Sequence, residues 1–263
     1  MLTRTRTILT CTAAAAAVGL AAGLAAPALA AARLAPGTAA RSGGALRLTH
    51  NDHAIGRIAA RPVNTRTSAG YFAAVRTGSA TVLTASFTVP ALSCTTADRA
   101  IAADAGIGVG SKGASVSFVF TGCVSGSAVY FPGLVVNGKE TNFRESPLAA
   151  GDVIDLTTKV SVNRTRVQVT DVTTGVTQKI IGAGARARGT FIGDDGWFTS
   201  PTTLQHVPDF GKLTFKSCLL DGKALASWHP QAYQRVNSIG TLQISNGNFW
   251  PGGTAFTTHF VHS

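Results

Sequence analysis

From about Ser68 to its end, the chain is a succession of short β-branched and aromatic runs separated by turn pairs. Such runs predict strands over Tyr71–Val75, Thr81–Val89, Ser115–Phe120, Ala128–Val136, Val153–Val160, Arg166–Val172 and Gly175–Ile181. The series continues with Arg188–Ile192, Lys212–Lys216, Thr241–Ile244 and Thr254–Val261. Between them lie Asn137-Gly138, Ala150-Gly151-Asp152, Thr174-Gly175, Asp221-Gly222 and Asn246-Gly247, and Asn-Gly or Asp-Gly pairs suit tight hairpins. Polar and apolar residues alternate cleanly through Val167-Gln168-Val169-Thr170 and through residues 212–216, so those strands have one wet face. No amphipathic helix longer than two turns is apparent, and no period of repeat-protein length recurs. The expected architecture is all-β, a two-sheet antiparallel β-sandwich.

Composition agrees. Charged residues are 13% of the 263 and glycines number 29, which leaves little for solvated Glu/Lys helices. The N-terminus reads as a secretory signal over residues 1–30. Arg4 and Arg6 precede an apolar run from Ile8 to about Ala25, and Ala28-Leu29-Ala30 suits cleavage. Residues 31–67 lack any strand or helix period and read as a disordered linker or a removable pro-segment. The expected body is then 68–263, exported, extracellular and monomeric, with no membrane association after signal removal.

Net charge is +11, but it is concentrated near the start. Residues 31–67 hold six Arg against Asp52 alone, whereas the body from Ser68 carries only +4. Clustered cations with interleaved aromatics are missing there, so no nucleic-acid partner is expected.

Three cysteines follow the signal. Cys94 and Cys123 fall near strand ends in an oxidising compartment and are the expected disulfide, with Cys218 a buried free thiol. His50 and His53 flank Asp52 but have no carboxylate or Cys cluster nearby to complete a metal site, so no metal and no cofactor are expected. Residues 108–113 fit G-x-G-x-x-G, but with no βαβ context they read as a glycine-rich hairpin. The only glutamates, Glu140 and Glu145, follow the Asn137-Gly138 turn and are expected to be exposed. Asn163-Arg164-Thr165 is a glycosylation sequon that matters only in a glycosylating source.

Several segments in order resemble the glutamic peptidases, or eqolisins. Ser68-Ala69-Gly70-Tyr71, Ala85-Ser86-Phe87-Thr88-Val89-Pro90 and Gly106-Ile107-Gly108-Val109-Gly110 are similar to that family's "WAGY", "SATFTVP" and "WVGIDG". The likeness continues through Thr121-Gly122, residues 149–154 and residues 208–215, and closes on residues 253–258. The resemblance covers about residues 68–263 and implies a concanavalin-A-like sandwich and peptide-bond hydrolysis by an activated water.

In that family a Glu carboxyl acts on the water and a Gln amide polarises the scissile carbonyl. The "QTG" motif sets Phe120 where the Gln belongs, and "AEWIVED" sets Thr190 at its first acid and Asp194 at its second. The "WVGIDG" tryptophan becomes Ala105. Asp194 is therefore the catalytic candidate, with Phe120, Thr190 and Asp195 as groove candidates. Because strand neighbours face opposite ways, only one of Asp194 and Asp195 can enter a groove. The competing reading is that Asp194-Asp195-Gly196 is a solvated turn. Trp197, Trp228, His229 and Trp250 are either groove surface or ordinary packing.

Two functions remain open at this point. One is a secreted endopeptidase with a modified catalytic pair acting on a polypeptide substrate. The other is a non-catalytic binder of peptide or glycan. Family likeness favours the first, and the substituted Gln and Glu favour the second.

Overall fold

The computed structural model describes residues 61–75, 80–98, 100–109, 113–196 and 206–262. The signal, most of the linker, and Trp197 lie outside the described residues. Sixteen strands are present among those described. In chain order they are β1 (Val63–Thr65), β2 (Ser68–Ala74), β3 (Thr81–Thr88), β4 (Ala100–Gly108), β5 (Ala114–Val124), β6 (Ser127–Val136), β7 (Lys139–Asn142) and β8 (Val153–Val160). They continue with β9 (Arg164–Asp171), β10 (Val176–Ala183), β11 (Gly189–Gly196), β12 (Lys212–Leu220), β13 (Lys223–Ala224), β14 (Gln231–Val236), β15 (Leu242–Asn246) and β16 (Phe256–Phe260). A 3₁₀ turn over Leu225–Trp228 follows β13.

Two antiparallel sheets result. The smaller runs β10-β9-β8-β3-β12, and the larger runs β12-β16-β15-β14-β2-β11-β4-β5-β6-β7. They share β12, whose first half pairs with β16 and whose second half pairs with β3. The register shifts between Lys216 and Leu219, where Ser217 takes a positive φ of 49°, so a bulge turns one strand through both layers. Strand structure begins at Val63 rather than Ser68, because β1 adds itself in parallel to β14.

Turn chemistry places the hairpins where the sequence predicts. Asn137 and Gly138 have φ of 50° and 81° between β6 and β7, and Asp221 and Gly222 have 52° and 76° between β12 and β13. Both pairs have the two left-handed residues of a type I′ turn.

The sheets pack face to face over β3, β4, β5, β8 and β9. Leu83, Ile154, Leu156, Val167 and Val169 meet Ile101, Ala103, Ala105, Ile107 and Val119 there. Each such aliphatic side chain contributes about 1.5–3 kcal/mol on burial. Thr158 Oγ1 donates to Ala105 O at 2.8 Å and lies 3.1 Å from Ser117 Oγ, tying the layers together. At the other end Tyr71 stacks on Phe249 at 4.1 Å and meets Phe256 edge-on at 4.8 Å.

Cys94 and Cys123 are bonded, with Cα atoms 5.6 Å apart and 29 residues between them in sequence. The bridge anchors the segment before β4 to the end of β5. Cys218 is buried and free, and burial pushes its thiol pKa far up, so it packs as an apolar group. Trp228 leans on the core and donates through Nε1 to Leu220 O at 3.2 Å, whereas Trp250 and His229 are exposed.

Candidate active site on the outer face of the larger sheet

Antiparallel partners share a sheet face, so the registers of β2, β11, β4 and β5 sort every candidate. Asp195 lies opposite Ser68 on β2 and Ala102 on β4, and Ala102 lies opposite Phe120 on β5. These four residues define the outer face, away from the smaller sheet. Thr190, Ile192 and Asp194 have the other parity. Their partners Ile107, Ala105 and Ala103 all belong to the core between the sheets.

This register corrects the sequence reading in three places. Thr190 is not a groove residue. It is buried on the inter-sheet side, donating from Oγ1 to Ala73 O at 3.2 Å. Asp194 also points inward, with no exposed surface and an acceptor bond from Thr258 Oγ1. Asp194-Asp195-Gly196 is no turn either, because pairing with β4 runs through Gly196. Phe120 and Asp195 do share the outer face.

The same face carries a residue the motifs did not indicate. Asp104 lies opposite Gly193 on β11 and Phe118 on β5, and is only 6% exposed. It stands two residues along β4 from Ala102, the partner of Asp195. The two carboxylates are thus diagonal neighbours, a relation that places Cα atoms about 7–8 Å apart. Opposite Asp104 the backbones approach too closely for a side chain. Gly193 and Gly70 face each other, and a Cβ on Gly193 would sit 2.2 Å from Ala69 O.

Burial first, and neighbouring charge after it, shifts the protonation of the cluster. Burial raises the Asp104 pKa well above its ordinary value, and the nearby charges of Asp195 and then Asp194 raise it further. Asp104 Oδ1 is buried without a hydrogen-bond partner. Asp195 is half-buried and accepts from Ser68 Oγ at 3.1 Å. Arg235, near the end of β14, is almost fully buried, and its pKa is lowered to about 10 by burial against the opposing pull of Asp195 and then Asp194. Asp194 is raised to about 7 by burial, although Thr258 and Arg235 counteract it. Ser68 donates to Asp195 and the Arg235 charge interacts with it, while burial and the neighbouring carboxylates favour the protonated form of Asp104.

Beside the carboxylates the face is aromatic. Phe120 stacks on Phe131 at 4.5 Å, and the Arg144 guanidinium lies 5.3 Å from the Phe131 ring centre. Ala102, Phe118 and Val135 form a small apolar cluster there, with Val116 and Phe120 packed on it. The arrangement can present a proton donor and a proton acceptor to a bound polar group beside an apolar surface. Among the described residues no group of three or more His, Cys, Asp or Glu is placed to hold a metal ion.

The two glutamates lie elsewhere. Glu140 on edge strand β7 is half-buried rather than exposed, bonded by Asn142 Nδ2 at 2.6 Å, and burial raises its pKa. Glu145 is exposed beside a cavity of about 280 Å³ lined by Pro132, Leu148, Asp171, Val176 and Gln178. Asp171 caps the β9–β10 turn through Thr173 N and Thr174 Oγ1.

The peptidase A4 family model matches residues 66–246. Among solved structures, scytalido-glutamic peptidase with a transition state analog inhibitor is similar at 15% identity and a TM-score of 0.57. The match covers 74% of this chain and 98% of that one. SCP-B, a member of the eqolisin family in complex with the tripeptide Ala-Ile-His, is similar at 16% identity and a TM-score of 0.56, with the same coverages. No curated protein sequence matches. At these identities the structural likeness establishes the sandwich fold.

Proposed function

The chain belongs to the peptidase A4 family, and from that membership we propose an extracellular endopeptidase that hydrolyses peptide bonds with an activated water. The substrate is an extended polypeptide lying on the outer face of β2, β11, β4 and β5. One observation carries the reading: a buried carboxyl group, Asp104, shares that face with the better solvated Asp195. Carboxyl groups in unlike environments are what acid–base work on water requires. The tripeptide on SCP-B supports a peptide ligand. The signal-like N-terminus and the Cys94–Cys123 bridge support export. Because burial raises the Asp104 pKa, its protonated form persists to higher pH than in an ordinary aspartate, and activity falls once pH rises past it.

The competing function is a non-catalytic peptide binder. Phe120 favours it, since a ring at the position matching the family's amide can donate no hydrogen bond to an oxyanion. Digestion of unfolded casein and of a mixed peptide library, from acid to neutral pH, separates the two. Cleavage at internal bonds establishes the peptidase. Retention of intact peptide without cleavage establishes the binder.

A further inference from the structure

We propose that Asp104 and Asp195 form a catalytic carboxyl pair across β4 and β11, Asp104 donating to the scissile carbonyl and Asp195 taking the proton of the attacking water. The inference rests on the peptidase reading above and names the residues that perform it. It explains how a chain with Phe120 at the amide position can still polarise a carbonyl. A protonated carboxyl on the neighbouring strand supplies the donor that the ring cannot.

The geometry supports each role separately. Asp104 Oδ1 is buried on the outer face with no hydrogen-bond partner, and its cross-strand partner on β11 is Gly193. Asp195 is the more exposed of the two and accepts from Ser68 while facing the Arg235 charge. The charged and titratable groups around the pair are Asp194 and Arg235. Asp194 points inward and takes the hydroxyl of Thr258.

The chemistry balances. Asp195 removes a proton from water while the water oxygen bonds to the carbonyl carbon, and the Asp104 proton is hydrogen-bonded to the carbonyl oxygen. A tetrahedral oxyanion bearing the new hydroxyl forms, its negative oxygen held by the hydrogen bond from Asp104. Asp195 then gives its proton to the amide nitrogen, the C–N bond breaks, and the products are a carboxylic acid and an amine. Asp104 ends with its proton and Asp195 without one, as they began.

The pair predicts an asymmetry that a purely structural role would not produce. An amide can donate but cannot take a proton. Asp195→Asn should therefore lower kcat/KM about 10²–10⁴-fold. Asp104→Asn should stay within about tenfold of wild type and lose the alkaline limb of its pH profile, while Asp104→Ala loses about 10²–10³-fold. The assay is unfolded-protein cleavage by the full chain, with circular dichroism to establish that each variant is folded. Carboxyl ¹³C NMR of the unsubstituted protein adds a test without mutation, in which Asp104 is protonated at a pH where Asp195 is ionised. Turnover that survives Asp195→Asn, or an Asp104 ionised before Asp195, overturns the pair and leaves the peptidase reading standing. No turnover by the wild type at any pH overturns both.

Discussion

Strands β8 and β9 contrast sharply with β4 and β11. Along β8 and β9 exposed or half-exposed residues alternate with buried ones from end to end, so each strand has one wet face and one core face. Along β4 burial is continuous from Ile101 through Ile107, and Ile192, Gly193 and Asp194 are buried in succession on β11. Their residues are small: Ala102, Ala103, Ala105 and Gly106 on β4, Gly189 and Gly193 on β11. A strand buried on both faces with little side-chain volume contributes modestly to the core. It brings backbones close instead, and it can hold carboxylates where water is scarce. The first pair of strands is scaffold, and the second is where charge is placed at a cost in stability.

Glycine substitutions break this contrast most strongly. Gly193→Ala should prevent folding or destabilise by more than about 4 kcal/mol, because the new Cβ would lie 2.2 Å from Ala69 O and 2.7 Å from Gly70 Cα. Gly175→Ala, at the exposed β9–β10 turn with φ 75° and open space around it, should cost only about 1–2 kcal/mol. Urea melts of the two variants measure the difference.

Next in size is the dependence of stability on pH. Asp194 titrates at about 7 in the fold against 3.8 ordinarily, so between those values the folded chain holds the extra proton. Its contribution is full below 3.8 and is lost as pH rises through about 7, amounting to up to about 4 kcal/mol. Asp104 acts in the same direction. Thermal melts should show Tm falling from pH 4 to pH 7, and Asp194→Asn should flatten much of that slope.

The disulfide sharpens the comparison from outside the sheet centre. Replacing Cys94 and Cys123 together by Ala should cost about 3–4 kcal/mol, the closure entropy of a loop of this length. Peptide mapping without reductant should link those two cysteines and leave Cys218 alone.

The smallest effect belongs to the scaffold's wet face. Thr177→Ser on β10, exposed and 3.1 Å from Thr170 Oγ1, should change stability by less than about 0.5 kcal/mol.

How far these features could be foreseen follows the same division. Strands with β-branched content, such as Thr81–Thr88 and Val153–Val160, were legible because their local pattern and their tertiary role agree. β4 was not. Its residues, Ala-Ile-Ala-Ala-Asp-Ala-Gly-Ile-Gly, have poor strand propensity, and only pairing on both sides with β5 and β11 makes them a strand. With that strand went Asp104. The available signal was a lone carboxylate inside a run of small residues, which is unusual for a loop. Strand β14, which carries Arg235, escaped for a similar reason, since Gln231-Ala232-Tyr233-Gln234-Arg235 is mostly polar.

The sequence by itself determined the all-β class, the I′ turns, the Cys94–Cys123 pairing and that Asp194 and Asp195, once placed on a strand, face opposite ways. Each depends on local chemistry: side-chain periodicity, left-handed turn residues, and the two-residue alternation of a strand. Tertiary structure decided which of those two aspartates meets the outer face, that Thr190 is buried inside, and that Asp104 stands beside Asp195. Those outcomes depend on register between strands far apart in sequence. A one-residue slip would exchange the two faces, and nothing within a single strand specifies it.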